Sequence, residues 1–96
     1  MAQSKPSFRT VDVVLDAPYE GWTATLKAEG IPARVLIELQ SSDIGKQLGA
    51  MEKLILKHNF LDPEGNVAAS VLDAPMDALT GAITKWGDAV AALPPR

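Results

Sequence analysis

The stretch Phe8-Arg9-Thr10-Val11-Asp12-Val13-Val14-Leu15-Asp16-Ala17-Pro18-Tyr19-Glu20-Gly21-Trp22-Thr23-Ala24-Thr25-Leu26-Lys27 decides the fold class. From Phe8 to Leu15 the apolar residues Phe8, Val11, Val13, Val14 and Leu15 surround Thr10 and Asp12. β-Branched side chains dominate, and they suit a pleated, half-buried strand. Trp22, Ala24 and Leu26 then alternate with Thr23, Thr25 and Lys27. Period two marks a second strand with one buried face. Asp16 to Gly21 carries turn chemistry, and two strands joined by a short Pro/Gly loop form a hairpin.

A bare hairpin is marginal in water and needs a cover. The downstream sequence supplies one in helices. Gly30-Ile31-Pro32 closes the hairpin, and Pro32 suits a first helical turn before Ala33 to Gln40, where Val35, Leu36 and Leu39 fall at helical spacing. Ser41-Ser42-Asp43 is a cluster of N-cap residues. A second helix is expected from Asp43 to His58, because Ile44, Leu48, Met51 and Ile55 fall on one face, with Leu54 widening it and Lys46, Glu52, Lys53 and Lys57 in water. Asp62-Pro63-Glu64-Gly65-Asn66 reads as a turn. Asp73-Ala74-Pro75 opens a last helix, from about Pro75 to Leu93, and Pro94-Pro95 stops it. The expected fold is therefore α+β: an N-terminal β-hairpin packed on about three α-helices, a single small domain over 8–93. Residues 1–7 read as a flexible arm and 94–96 as a tail.

With 96 residues there is room for one domain. Hydrophobic residues at 47% and charged residues at 22% are ordinary globular values and exclude a wholly disordered chain. The net charge is −3, and the nine Lys and Arg are scattered singly. Nucleic-acid binding needs clustered cations, so no nucleic-acid partner is expected. The same scatter argues against a membrane surface, and apolar runs of about four residues are far too short to span one. Without cysteine, the expected compartment is a reducing cytoplasm.

No catalytic set emerges, so a non-enzymatic role is expected. Ser41, Ser42 and Ser70 lack a nucleophile-elbow context, and no glycine-rich phosphate loop is present. The single His58 reads as a cation at the negative end of a helix. Asp62, Glu64, Asn66, Ser70 and Asp73 echo a calcium loop, but Val67 stands where the sharp bend requires glycine. No metal or cofactor is expected.

The protein-binding candidates come from periodicity. Met76, Leu79, Ile83, Trp86, Val90 and Leu93 are spaced 3, 4, 3, 4, 3, the most regular pattern in the chain. That stripe is first a core face, and it is also the pattern of a helix-in-groove surface. Trp22 belongs first to the buried side of the hairpin and anchors an interface if exposed. The candidate binding residues are thus Trp22, Met76, Leu79, Ile83, Trp86 and Val90. Gly45 and Gly49 make a small-xxx-small pair, which predicts close approach of another backbone, internal or from self-association.

This arrangement resembles the tail assembly chaperones of long-tailed bacteriophages. The resembling elements are the β segment with Pro18-Tyr19-Glu20-Gly21-Trp22, the stretch His58-Asn59-Phe60-Leu61-Asp62-Pro63-Glu64-Gly65-Asn66, and the closing helix after Asp73-Ala74-Pro75, together covering roughly 10–93. The resemblance implies a non-enzymatic protein of the infected host's cytoplasm. Such a protein binds the tape measure protein, keeps it soluble, helps recruit the major tail protein that builds the tube, and leaves before the tail matures. The family has no short catalytic signature to carry over. It implies as well a longer frameshifted product, which would join after Leu93-Pro94-Pro95-Arg96. The alternatives are a virion structural or accessory subunit retained in the particle, and a small regulatory or antitoxin-like binding module.

Overall fold

The computed structural model describes residues 7–95; most of the expected N-terminal arm, and the last residue of the tail, lie outside them. The chain runs β1 (Thr10–Val14), β2 (Thr23–Lys27), α1 (Ala33–Leu39), α2 (Ile44–Leu54), β3 (Ile55–His58), a 3₁₀ turn (Val71–Asp73) and α3 (Met76–Ala92). The fold is α+β, as the sequence predicts, with a three-stranded antiparallel sheet in the order β1-β2-β3.

The hairpin pairs Thr10 with Lys27 through to Val14 with Thr23. Val11, Val13, Ala24 and Leu26 are buried on one face, whereas Thr10, Asp12 and Val14 are exposed on the other. The period-two reading therefore assigns the faces correctly. Leu15 N–H donates to Trp22 C=O and Ala28 N–H to Arg9 C=O. The antiparallel alternation then turns the backbone groups of Asp12 and Val14 to the free side of β1. The Asp12 carboxylate in mid-strand guards that edge, because a second β1 laid against it would bring like charges together. At the loop, Gly21 has φ +86°, a left-handed conformation that glycine adopts without strain.

The third strand departs from the sequence reading. The helix expected over Asp43–His58 ends at Leu54, and Ile55–His58 pairs antiparallel with β2 through Ala24↔His58, Thr25↔Lys57 and Leu26↔Ile55. The far edge of β2 would otherwise leave its peptide groups unpaired, and a tertiary partner overrides the local helical period. Periodicity could not detect the change, since Ile55 is half-buried and packs on the core from the strand as it would from a helix. The inward face of α2 is also rotated from expectation. Ala50 and Leu54 are fully buried, Leu48 and Met51 half-buried, and Ile44 is 55% exposed. No internal backbone closes on Gly49, where an added Cβ would meet nothing within 4 Å. The small-xxx-small pair thus has no partner among the described residues.

Asp43 does start α2, accepting hydrogen bonds from Gly45 N–H at 2.9 Å and Lys46 N–H at 3.3 Å. Asp43→Ala is expected to cost about 1 kcal/mol, read as a fall in thermal midpoint of several degrees. The neighbouring Ser42→Ala should leave the midpoint unchanged.

α3 matches its expected bounds within a residue and packs chiefly on β1. Ala78, Leu79 and Ala82 are its buried residues. The two alanines, one turn apart, let the helix axis approach the sheet closely. Ile83, Trp86, Ala89, Val90 and Leu93 flank them against the core. The Trp86 Nε1–H donates to the Lys27 carbonyl at 2.7 Å. That carbonyl lies just past the last β2–β3 pair, Leu26↔Ile55, so α3 completes a peptide group that the sheet leaves open.

Between β3 and α3 the chain folds back on itself. Leu61 bridges Val67, and the Asp62 carboxylate accepts from Glu64 N–H at 2.9 Å and Asn66 N–H at 3.1 Å. Phe60 behind this turn is fully buried. No helix of the described residues is long and apolar enough to cross a membrane.

Candidate protein-binding surface

The six candidate residues do not form one open patch. Leu79 is 2% exposed and belongs to the core. Ile83, Trp86 and Val90 are half-buried against it, so the α3 stripe is mainly an internal face. Met76, at the start of α3, is the one member of the set with a large exposed surface. Trp22 is half-buried in an aromatic cluster, 4.7 Å from Tyr19 and 5.6 Å from Phe60 between ring centroids.

The loop carrying Tyr19 and Trp22 is fastened to α3 at two points. The Tyr19 hydroxyl donates to Asp77 Oδ1 at 2.5 Å, and Lys85 pairs with Asp16 at 3.0 Å. A cleft of about 240 Å³ lies between loop and helix, lined in part by Pro18, Tyr19, Asp77 and Lys85. Asn59 ties the same loop to the end of β3. Its Oδ1 accepts from Thr23 N–H at 2.7 Å and its Nδ2 donates to Gly21 C=O at 3.2 Å.

The hydrogen bond to Asp77, and secondarily burial, raises the Tyr19 phenol above its ordinary value of 10.0. The folded state thus holds this proton more tightly than the unfolded chain. The contribution to stability is complete below pH 10 and is lost as pH rises through the folded value. Tyr19 is the chain's one tyrosine, so phenolate absorbance reads it alone. Its midpoint is expected above 10 in the native protein and lower in Asp77→Asn; equal midpoints in the two proteins would contradict the contact.

The groups with reactive chemistry gather at the open side of β3 without forming a catalytic pair. Glu52, His58 and Ser70 share the lining of a cleft of about 310 Å³. The Ser70 hydroxyl donates to Glu52 Oε2 rather than to the His58 imidazole, and accepts from Leu72 N–H at 3.2 Å to start the 3₁₀ turn. His58 does not cap a helix as expected. It ends β3, where its Nδ1 accepts from Phe60 N–H at 3.1 Å, and burial lowers its pKa below 6.5. Nδ1 is therefore engaged with the backbone, and no His–Ser hydrogen bond forms among the described residues. In the calcium-like segment Asp62 is held by its own loop, and no group of three or more His, Asp or Glu side chains converges as metal ligands among the described residues.

The exposed apolar surface lies mostly where sequence periodicity did not point. Ile37 is 70% exposed on α1 and Ile44 is 55% exposed at the start of α2. Phe8, Val14, Leu36, Leu56, Val67 and Leu72 are further large apolar side chains in water. Ile37 and Leu56 carried the same signal, since each falls outside the apolar face expected for its segment. Comparison with family models, with curated proteins and with solved structures returns no match.

Proposed function

We propose that this chain is a non-enzymatic binding protein that acts as a phage tail assembly chaperone, holding the tape measure protein in solution and helping recruit the tail tube protein. The observation that carries the reading is the exposed apolar surface. Nine large hydrophobic side chains among the described residues, from Phe8 to Met76, stand at least 40% exposed. Where such side chains adjoin one another, the apolar surface supports contact with another macromolecule. A client rich in amphipathic helix would cover the α1–α2 corner, where Leu36, Ile37 and Ile44 project, in the manner of a helix laid on an apolar surface. The reading places the protein in the host cytoplasm and ends its role before the particle matures.

Sequencing the locus tests the assignment. A tail tube gene upstream and a very long tape measure gene downstream are expected, with an overlapping frame that extends this domain into a longer product. An isolated gene, giving one band near 10 kDa in blots against this domain, would contradict it. Retention in particles after disruptive washing would replace the chaperone with a virion subunit.

A further inference from the structure

The buried residues of β1 and β2 all lie on one face of the sheet. Its other face carries Thr10, Asp12, Thr25, Lys27 and Lys57 by strand alternation and register. At the end of that face, Phe8, Arg9, Lys27, Glu29, Gly30 and Leu56 border a cleft of about 530 Å³. That volume is within the range of about 300–1,000 Å³ of small-ligand sites. Its two apolar walls are built outward. Phe8, 54% exposed, lies over Gly30, whose φ is +70° and where a Cβ would overlap the phenyl ring. Leu56, 51% exposed, is the residue left over where the β2–β3 register shifts, since Lys57 pairs with Thr25 and Ile55 with Leu26. A bulge of this kind re-aims a side chain, and here it puts a leucine in water beside a phenylalanine.

The charges at this cleft differ from those of the chain as a whole, which is −3. Arg9 is already engaged, pairing with Glu29 at 2.9 Å and donating to the Pro94 carbonyl at 2.7 Å, so the two form a neutral, fixed border. Asp12 accepts from the Thr25 hydroxyl at 2.6 Å. Among the described residues the ion pairs are Arg9–Glu29, Lys53–Glu38 and Lys85–Asp16, and neither Lys27 nor Lys57 joins one. The cleft therefore offers an apolar slot beside one uncommitted ammonium group, that of Lys27.

We propose that this cleft docks an acidic segment of a partner protein, which inserts a bulky apolar side chain between Phe8 and Leu56 and sets a neighbouring carboxylate against Lys27. The inference is independent of the chaperone reading, since it specifies the chemistry of the segment and not the client.

The test is an amide chemical-shift titration of the full chain with three blocked hexapeptides. One has two leucines flanked by aspartate and glutamate, the second has lysines in place of the acidic residues, and the third has serines in place of the leucines. The acidic leucine peptide is expected to shift Phe8, Lys27 and Leu56 saturably, and the other two to bind at least about tenfold more weakly. Lys27→Glu should weaken the acidic peptide about tenfold and favour the lysine peptide. Leu56→Asp should abolish the shifts at an unchanged melting temperature, because the residue is outside the core. Equal binding of the acidic and basic peptides, shifts confined to other surfaces, or no effect of Lys27→Glu would overturn the proposal. So would a concentration-dependent dimer lost in Leu56→Asp, which would assign the face to a second copy, or an oligonucleotide that shifts these amides.

Discussion

Phe60→Ala is expected to be the most damaging single truncation in the chain, costing about 4 kcal/mol. Phe60 is the largest fully buried side chain, and its ring lies 5.6 Å from Trp22 and 5.4 Å from His58 between centroids. Its backbone joins two layers, donating to His58 Nδ1 and accepting from Ala68 N–H at 2.9 Å. Alanine would leave a cavity where β2, β3 and the 62–66 turn converge. A domain of this size has a total stability of about 5–15 kcal/mol, so the loss is a large share of it. The thermal midpoint should fall by roughly 15–30 °C, with Phe60→Leu losing less than half as much. A midpoint within about 5 °C of the parent for Phe60→Ala would mean that this side chain is not central to the core.

Trp86→Ala is expected to cost about 3 kcal/mol, at the low end for a tryptophan truncation because the ring is half-buried. Two effects add there. Apolar area facing the core is lost, and the Lys27 carbonyl loses its partner at 2.7 Å. Trp86→Phe separates them, keeping most of the area while removing the hydrogen bond, and should cost about 1 kcal/mol more than the area difference alone. The neighbours serve as controls. Asp88 is exposed, and Lys85 pairs with an Asp16 side chain that is 85% exposed, so both alanine variants should stay within about 0.5 kcal/mol of the parent. Equal midpoints for Trp86→Ala and Asp88→Ala in thermal melts would remove Trp86 from the core.

The hairpin and α3 were legible because each has a single buried face, and a single buried face imposes a period. Val11, Val13, Ala24 and Leu26 alternate with residues in water, and the 3–4 spacing from Met76 to Leu93 follows the inward side of a long helix. Asp43 was legible as a cap because its carboxylate acts within its own first turn. The helix-to-strand change at Ile55 was not legible, because its cause is the distant edge of β2 and Ile55 faces the core in either conformation. The same long-range origin hides the roles of Asn59 and His58, which bond to Gly21, Thr23 and Phe60 only once β3 is in place.

At the binding surface a strong apolar period marks the wrong residues. A strong stripe is what a helix shows when its partner is internal, so Leu79, Ile83, Trp86 and Val90 became core residues or their flanks. Two of the side chains left in water break the pattern, Ile37 off the α1 face and Leu56 at the register shift, whereas Ile44 lies on the expected α2 stripe but before its buried part.

The central claim is that this exposed apolar surface serves a tape measure client. The most direct test is co-expression of this chain with the tape measure polypeptide of the same genome, measuring the soluble fraction and co-purification of the client. The account predicts that the client is insoluble alone, soluble and co-purifying with this chain, and insoluble again when Ile37→Asp and Ile44→Asp are combined in a chain that still melts cooperatively at the parent midpoint. A client equally insoluble with and without the folded parent chain would contradict the account.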